Sequence, residues 1–469
     1  MNILLIGTGP ASYACLSKLI ENENLNITLI DNSEIKNRRP KYKCTYDQKY
    51  FSTSRITDWD MFDQNQINLQ NMITKNFGGL SSVWGSAVSE PLSKELKEYN
   101  SKKIDINKYF KMFNKNLTFL TNDEDTYKKY IKLPESLDVK ELFTKIKNLR
   151  IFNVSYSKFL INTDKSIDNS ICSSCGSYKF LCKNESLWTT QIEIKKLISQ
   201  NRINYLSNHK LISFTEKGDD VFCQIEVNEE TVEMKFDSIF IGAGAFATSE
   251  IFINSDYVKK VEIENSDLFT VPFLKKTNFE SGKVSHPVLF IDDVVYEKIL
   301  FSQLYFYSDN LMKIFLNSSF ISKIITMLPN ILKNFFGGMR IFLDPKISSK
   351  IILTKVENEI QKEIKFVDSK FQKEFLTVFL RKFKKVGIIP LSIFGKTSTK
   401  GESYHFGAQF KSNNSIKENS SDLLGRIANL KNSYIIDSSV LPVVNTGPIT
   451  YSVMANSYRI ADEFLQKLK

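Results

Sequence analysis

The opening residues, MNILLIGTGPASYACLSKL, constrain this chain more than any other stretch. Ile3, Leu4, Leu5 and Ile6 form a continuous apolar run of the kind seen in strands buried on both faces. Gly7-Thr8-Gly9 predicts a tight turn, and Pro10 predicts the start of a helix. Strand, glycine turn and helix in that order present unpaired helix N–H groups to a pyrophosphate. Gly7 supplies the turn and Gly9 lets the main chain approach a phosphate. Pro10 and Ala11 open the helix, and Ser12 stands where a third glycine is usual, small enough for helix and strand to pack closely. A second apolar strand, Ile27 to Ile30, ends at Asp31, 22 residues after Gly9. A spacing of about 20 residues is expected for an acid that reaches a ribose hydroxyl.

At 469 residues the chain exceeds one ordinary core, so two or more domains are expected. Apolar residues make up 42% and charged residues 25%, a globular balance and not a disordered one. The net charge of +11 raises the question of nucleic acid or an anionic membrane. The lysines, however, are scattered among Asn, Ile and Phe, with only short clusters such as Lys36 to Arg39 and Arg381 to Lys385. They read as solvated surface, and no nucleic-acid motif accompanies them. No cationic leader precedes the first strand, and no apolar stretch approaches the roughly 20 residues that span a bilayer. A cytoplasmic protein is the expectation.

Three further stretches carry chemistry. Asn76 to Gly85 (NFGGLSSVWG) suits a backbone that passes close to a flat ligand, with Gly79, Ser81, Ser82 and Gly85 as candidates. By itself it reads more simply as a loop with a core tryptophan, Trp84. After a meander of short strands (Ile203 to Leu206, Val221 to Val227), Ser238 to Thr248 (SIFIGAGAFAT) predicts a second strand, small-residue turn and helix, with Gly244 in the turn. Two such units fit a long cofactor lying across one sheet. Near the C-terminus, His405 sits between Tyr404 and Phe406; the other histidines are His209 and His286. A strand from Ser433 to Ile436 ends at Asp437, and a helix starts near Pro448, its positive end suited to the negative charge of a reduced flavin ring.

The remaining segments are less specific. Residues 91–150 are lysine-rich and helical in pattern. Cys172, Cys175 and Cys182 match the run C-x2-C-x2-C-x3-C, except that Tyr178 replaces the third cysteine. Three thiolates hold zinc or an iron–sulfur cluster only with a fourth ligand from elsewhere, Cys44 being one candidate. The simpler reading is a degenerate knuckle held by packing. Leu311 to Phe342 is apolar with scattered lysines, which suits amphipathic helices on a membrane surface or, more simply, the core of a substrate domain. Strands follow at Lys350 to Val356 and Glu363 to Val367, then a basic helix from Phe371 to Lys385 and a strand from Gly387 to Ile393.

Four segments together resemble the glucose–methanol–choline (GMC) flavin oxidoreductases: GTGPAS with Asp31, GGLSSVWG, IFIGAGAFAT, and YHFG followed by IIDSSVLPVVNTGPIT and MANSYRIADEF. The resemblance implies FAD and oxidation of an alcohol or sugar hydroxyl. It implies an α/β fold: a discontinuous Rossmann-like FAD-binding domain (1–90, 185–260 and 400–469) with an inserted α+β substrate domain on a mostly antiparallel sheet (91–184 and 261–399). By matching positions, Gly7, Gly9 and Ser12 would face the pyrophosphate and Asp31 the adenosine ribose. Gly79, Ser81 and Gly85 would line the flavin side, and Leu211 would lie near adenine through its backbone. Gly244, Asp437 and the helix start Gly447, Pro448, Ile449 and Thr450 would complete the pocket, with His405 as the base. Two positions depart from the family. It usually places His or Asn near Gly447 or Pro448, where this chain offers only the nearby Asn445 and Thr446, and Trp84 stands where many members carry asparagine. These departures keep open a flavin-dependent reductase or isomerase on a glycan or lipid precursor, and a non-catalytic FAD-binding protein. The cysteine run also resembles a knuckle (CxxCGxCxxGC) of bacterial members, some of them polysaccharide-biosynthesis enzymes.

Overall fold

The computed structural model describes residues 1–33, 76–82, 84–114, 137–161, 186–276, 287–307, 325, 327–357, 359–397, 403–413, 419–427 and 430–468. The opening strand, Asn2–Ile6, lies at the centre of a five-stranded parallel sheet. The order across the sheet is Ser433–Ile435, Ser238–Ile241, Asn2–Ile6, Asn26–Asp31 and Asn204–Ser207. Ile3, Leu4, Leu5 and Ile6 are buried, as a strand covered on both faces requires. The chain leaves the opening strand towards Asn26–Asp31 on one side, while Ser238–Ile241 pairs on the other. The strand order therefore reverses between the opening strand and Ser238–Ile241, and ligands of open parallel sheets bind outside the strand ends at such a point.

Helices Pro10–Leu19, Ala245–Asn254 and Thr450–Lys467 start at these strand ends and pack into the same core. The opening and closing helices lie against each other. The Ser457 hydroxyl donates to the Ala11 carbonyl at 2.7 Å, and Lys18 pairs with Asp462 at 3.2 Å. The expected meander is a three-stranded antiparallel sheet, His209–Lys217, Asp220–Val227 and Glu230–Phe236.

The second domain is built on a seven-stranded antiparallel sheet. Its order is Ile388–Pro390, Leu268–Lys275, Phe336–Leu343, Lys298–Phe306, Pro287–Val295 and Asn153–Tyr156, with Lys396–Thr397 also pairing with Leu268–Lys275. Because side chains alternate along a strand, the sheet has two distinct faces. Val271, Phe273, Leu300, Leu304, Met339 and Ile341 pack with residues of helices Leu137–Leu149 and Ser369–Phe383. Leu268, Phe290, Phe301 and Phe342 cluster on the other face, with Ala87 and Leu92 against them. A smaller antiparallel sheet joins the layers: Glu359–Lys365, Lys350–Val356, Lys260–Asn265 and Phe406–Gly407. Its Val261, Ile263, Ile351, Leu353 and Phe406 belong to the core of the parallel sheet.

One sequence expectation is corrected here. Within Leu311 to Phe342, residues 336–342 belong to a central strand, Phe336–Leu343, flanked by strands on both sides, which replaces the amphipathic-helix alternative there and agrees with the simpler reading of a domain core. A Cβ on Gly337 would lie 2.3 Å from the Phe273 ring, so the glycine is there for a ring that crosses the strand and not to break a helix. Among the neighbouring described residues Ile325, Met327 and Asn330–Lys333 are helical, and 308–324 lie outside them. The strand expected at Gly387 to Ile393 shortens to Ile388–Pro390, where Pro390 removes a ladder donor and a turn at 392–394 follows.

Candidate active site

The candidate cofactor crevice is assembled from glycine turns that touch. Gly7 has φ +91°, and a Cβ there would lie 2.6 Å from the Gly242 carbonyl oxygen, so the two strand ends approach only because position 7 has no side chain. Gly9 precedes the helix Pro10–Leu19 and offers no side-chain cap, which leaves the first N–H groups of that helix open. A Cβ on Gly79 would lie 3.0 Å from the Gly9 Cα, so the GGLSS turn crosses directly over the fingerprint turn.

Hydrogen bonds lock this crossing. Asp31 Oδ2 accepts the Thr8 N–H (2.9 Å) and the Thr8 hydroxyl (2.8 Å), and the Thr8 Oγ1 accepts the Gly78 N–H at 2.8 Å. The Thr190 hydroxyl donates to the Thr8 carbonyl at 2.7 Å. Burial raises the Asp31 pKa above the usual carboxylate value, and the bonds from Thr8 oppose that rise. Leu211 is buried beside this end of the sheet, at a register shift between Leu211 and Ser213, and the Asn208 N–H donates to the Ser33 carbonyl just after Asp31.

Several predicted side chains turn inward. The Ser12 hydroxyl donates to the Ile6 carbonyl (3.0 Å), so its offer to a phosphate is its N–H and not its side chain. The Ser81 and Ser82 hydroxyls donate to the Gly78 and Gly79 carbonyls, both at 2.7 Å, and cap their own turn. The Trp84 indole N–H donates to the Trp188 carbonyl (2.9 Å), which holds the ring against the core ahead of Gly85. Asp437 is wholly engaged as well. Its Oδ2 accepts the Gly244 N–H (2.8 Å) and the Thr248 hydroxyl (2.5 Å), and its Oδ1 accepts the Ser439 N–H (2.9 Å). Burial pushes its pKa up while these donors pull it down. Gly244, φ +86°, is thereby fixed at the start of the helix Ala245–Asn254, and no atom of the other described residues lies within 4 Å of where its Cβ would be.

The closing segment completes the crevice. Ile449 and Val453 cluster with Ala11, Ala408, Leu441 and Val444, so the first turns of the opening and closing helices meet. Pro448 and Thr450 flank Ile449 at that helix start, and Ser89 Oγ reaches the Pro448 carbonyl at 3.5 Å. A Cβ on Gly447 would lie 2.9 Å from Ser89 Oγ and 3.3 Å from the Phe301 ring, which brings this loop onto the second domain's aromatic face.

His405 lies at the seam of the two domains. Its strand, Phe406–Gly407, pairs with Glu264–Asn265, and its carbonyl accepts the Ser266 N–H at 3.2 Å, just before the strand Leu268–Lys275 begins. The ring stacks on Phe342 with centroids 4.6 Å apart and planes 14° from parallel. Nδ1 is buried and has no hydrogen-bond partner among the described residues. Burial, then the positive charge of Arg340, lower the His405 pKa to about 3, and a hydrogen bond with the Thr446 backbone acts in the opposite direction. The imidazole is therefore neutral at physiological pH, with a lone pair to offer.

Two contributors were not foreseen from the sequence. Glu95, on the helix Ser93–Ser101, is buried; it accepts the Thr446 N–H (2.6 Å) on Oε1 and the Leu92 N–H (2.8 Å) on Oε2. Burial raises its pKa to about 7. It holds the loop that faces His405. Asn445, by contrast, is engaged internally, its amide donating to the Ser452 hydroxyl at 2.7 Å. The second is Arg340, on the face of the strand Phe336–Leu343 that carries Phe342. The cysteines Cys172, Cys175 and Cys182, like His286 and Cys44, lie outside the described residues. Among the described residues no group of three or more His, Cys, Asp or Glu is placed to hold a metal, and no helix is long and apolar enough to cross a membrane.

Fold and crevice together define the class: an α/β protein with a Rossmann-like domain of the FAD-binding type and a second domain on a mostly antiparallel sheet. The structure is similar over nearly its whole length to the crystal structure of pyridoxine 4-oxidase from Mesorbium loti, with a TM-score of 0.62 over 99% of both chains and 10% sequence identity. At that identity the likeness establishes a shared fold. No family model and no curated protein matches the sequence.

Proposed function

We propose that the protein is an FAD-dependent oxidoreductase of the GMC type that oxidises a CH–OH group of a small alcohol or sugar. The crevice suits FAD on three counts. Open helix N–H groups face the place of a pyrophosphate, the Gly9–Gly79 crossing leaves no side chain in the way, and Gly244 borders a space that a Cβ would begin to fill. Residues Gly7 to Ser12 would hold the pyrophosphate, Asp31 and the Leu211 backbone the adenosine end, and Gly79, Gly85, Gly244 and Gly447 to Thr450 the ring end. FAD, when bound, supplies the acceptor for the two electrons and the hydrogen that leave the alcohol carbon as hydride.

The observation that carries the reading is a buried, neutral imidazole at the domain seam whose Nδ1 has no hydrogen-bond partner among the described residues. His405 takes the hydroxyl proton, Phe342 and the Ser266 N–H fix the ring and its backbone, and the aromatic face of the second domain keeps water from the reacting carbon. The similarity in fold to pyridoxine 4-oxidase agrees with this assignment. A sugar of a glycan precursor is the finer proposal. Purified protein should be yellow, or take up FAD to one per chain, and a panel of alcohols and sugars should bleach the flavin anaerobically. Protein that stays colourless in excess FAD refutes the reading.

A further inference from the structure

The face of the antiparallel sheet opposite His405 is not uniformly apolar. One row across it reads Gln303, Arg340, Thr270 and Lys396, in register on four adjacent strands. The next row is Phe301, Phe342 and Leu268. The Arg340 guanidinium lies 5.9 Å from the Phe342 ring centroid, and His405 stacks on the same ring. Arg340 Nε is buried and has no hydrogen-bond partner among the described residues, and none of their carboxylates pairs with the guanidinium. The acids at the neighbouring strand ends are committed elsewhere: Asp267 Oδ2 accepts the Ser349 N–H at 2.9 Å, and Asp344 Oδ2 accepts the Ile299 N–H at 3.0 Å. Beside Arg340, Gln303 is buried with its Oε1 accepting the Tyr305 hydroxyl at 2.6 Å, which turns the amide Nε2 donors away from Tyr305.

A partly buried guanidinium with no acid on it among the described residues is costly unless a ligand supplies the anion. Here it also has a chemical cost, since its charge opposes protonation of His405, the proposed base. A neutral substrate would leave both penalties in place. We infer that the substrate is an anionic alcohol, whose carboxylate or phosphate oxygens are bound by Arg340 with Gln303 alongside while its hydroxyl-bearing carbon lies at His405. The inference rests on the oxidoreductase reading for the role of His405, and on the sheet alone for the anion site. Guanidinium binds carboxylate and phosphate through two parallel hydrogen bonds, which also fixes how far the anion stands from the oxidised carbon.

The test uses FAD-treated full-length protein with benzoate and inorganic phosphate as probes, their binding measured by calorimetry, with FAD content read in the same samples. The wild type should bind at least one probe, more weakly as salt rises. Arg340→Gln should weaken that binding by about tenfold or more, and Arg340→Lys, which keeps charge and bulk, by less. Lys235→Gln, on the far meander, should leave it unchanged. Equal affinity in wild type and Arg340→Gln, or no binding of either probe by the wild type, overturns the inference. A flavin midpoint potential that falls in Arg340→Gln with anion affinity unchanged also overturns it, because Arg340 then serves the reduced ring. Protein that binds the anion through Arg340 but takes up no FAD refutes the proposed function and leaves the anion site standing.

Discussion

Glu95→Gln is the perturbation that most directly tests how the active-site loop is held. Glu95 has a pKa near 7 in the folded protein against an ordinary value of 4.5, because it is buried. Between pH 4.5 and 7 the unfolded chain carries Glu95 ionised, whereas the folded protein keeps it protonated. The folded state binds more protons in that window, so this group's contribution to stability is fully present below pH 4.5 and is lost as pH rises to 7. At about 1.4 kcal/mol per pH unit, the window amounts to about 3 kcal/mol. Glutamine cannot ionise. It retains one acceptor for the Leu92 and Thr446 N–H groups and leaves the other donor unmet, a pH-independent loss of about 1–3 kcal/mol. The variant should thus be the less stable protein at pH 5 and close to or above the wild type at pH 8. Urea unfolding of both proteins at pH 5, 6, 7 and 8, followed by tryptophan fluorescence, gives the difference directly. His405 titrates in the opposite sense: its lowered pKa makes stability rise with pH between about 3 and 6.5, but both proteins carry it and it drops out of the difference. A wild-type-minus-variant difference that is flat with pH, or that grows as pH rises, refutes the reasoning.

The other predictions concern the crevice and the base. His405→Ala should keep FAD uptake and lower the rate of flavin bleaching by the best alcohol by about 10²-fold or more; unchanged bleaching in stopped flow would remove the assigned role. Gly7→Ala should destabilise the FAD-free protein by at least about 2 kcal/mol, since left-handed strain is joined by a Cβ 2.6 Å from the Gly242 oxygen. Gly244→Ala should cost only the backbone strain, about 1–3 kcal/mol, yet weaken FAD binding about tenfold because its Cβ enters space the described residues leave open; urea unfolding and FAD fluorescence titration separate the two. Asp437→Ala should destabilise by about 2 kcal/mol or more, as it strands the Gly244, Thr248 and Ser439 donors, and a melting temperature equal to wild type would show that the turn stands without it.

What the sequence made legible was local. Each strand, turn and helix of the parallel sheet is contiguous, so the apolar runs at Ile3 to Ile6 and Ile239 to Ile241, each ended by glycine, indicate both the element and the ligand side. Hydrogen-bond direction was not legible in the same way. Ser12, Ser81, Ser82 and Asp437 stand at the crevice, but their side chains hold turns together, because a short polar side chain in a tight turn finds a backbone partner before a ligand. Glu95 was invisible for a different reason. Its partner Thr446 lies 351 residues further on, and nothing in a lysine-rich amphipathic helix marks one glutamate as buried. Arg340 was hidden by FGGMRIFL, where a buried sheet face on one side and an aromatic face on the other blur the two-residue period, and a glycine pair made for close ring packing imitates a helix breaker.

These two unforeseen residues bear on one electrostatic problem. A base with a pKa near 3 is neutral at pH 7, which is necessary, but protonating it costs about 5 kcal/mol more than protonating imidazole in water. Burial by Phe342 cannot be relieved without losing the ring's position, so the relief must come from charge. The charge of Arg340 is what a ligand can cancel, and an anion placed on it would raise the basicity of His405. Glu95 cannot do this, because its two oxygens are engaged by Leu92 and Thr446 N–H groups and it shares with His405 only the backbone of Thr446. Under the proposed function and the inferred anion site, the site would be a poor base when empty and a better one when an anionic alcohol fills it, which would tie proton removal to the presence of the right substrate through a single guanidinium.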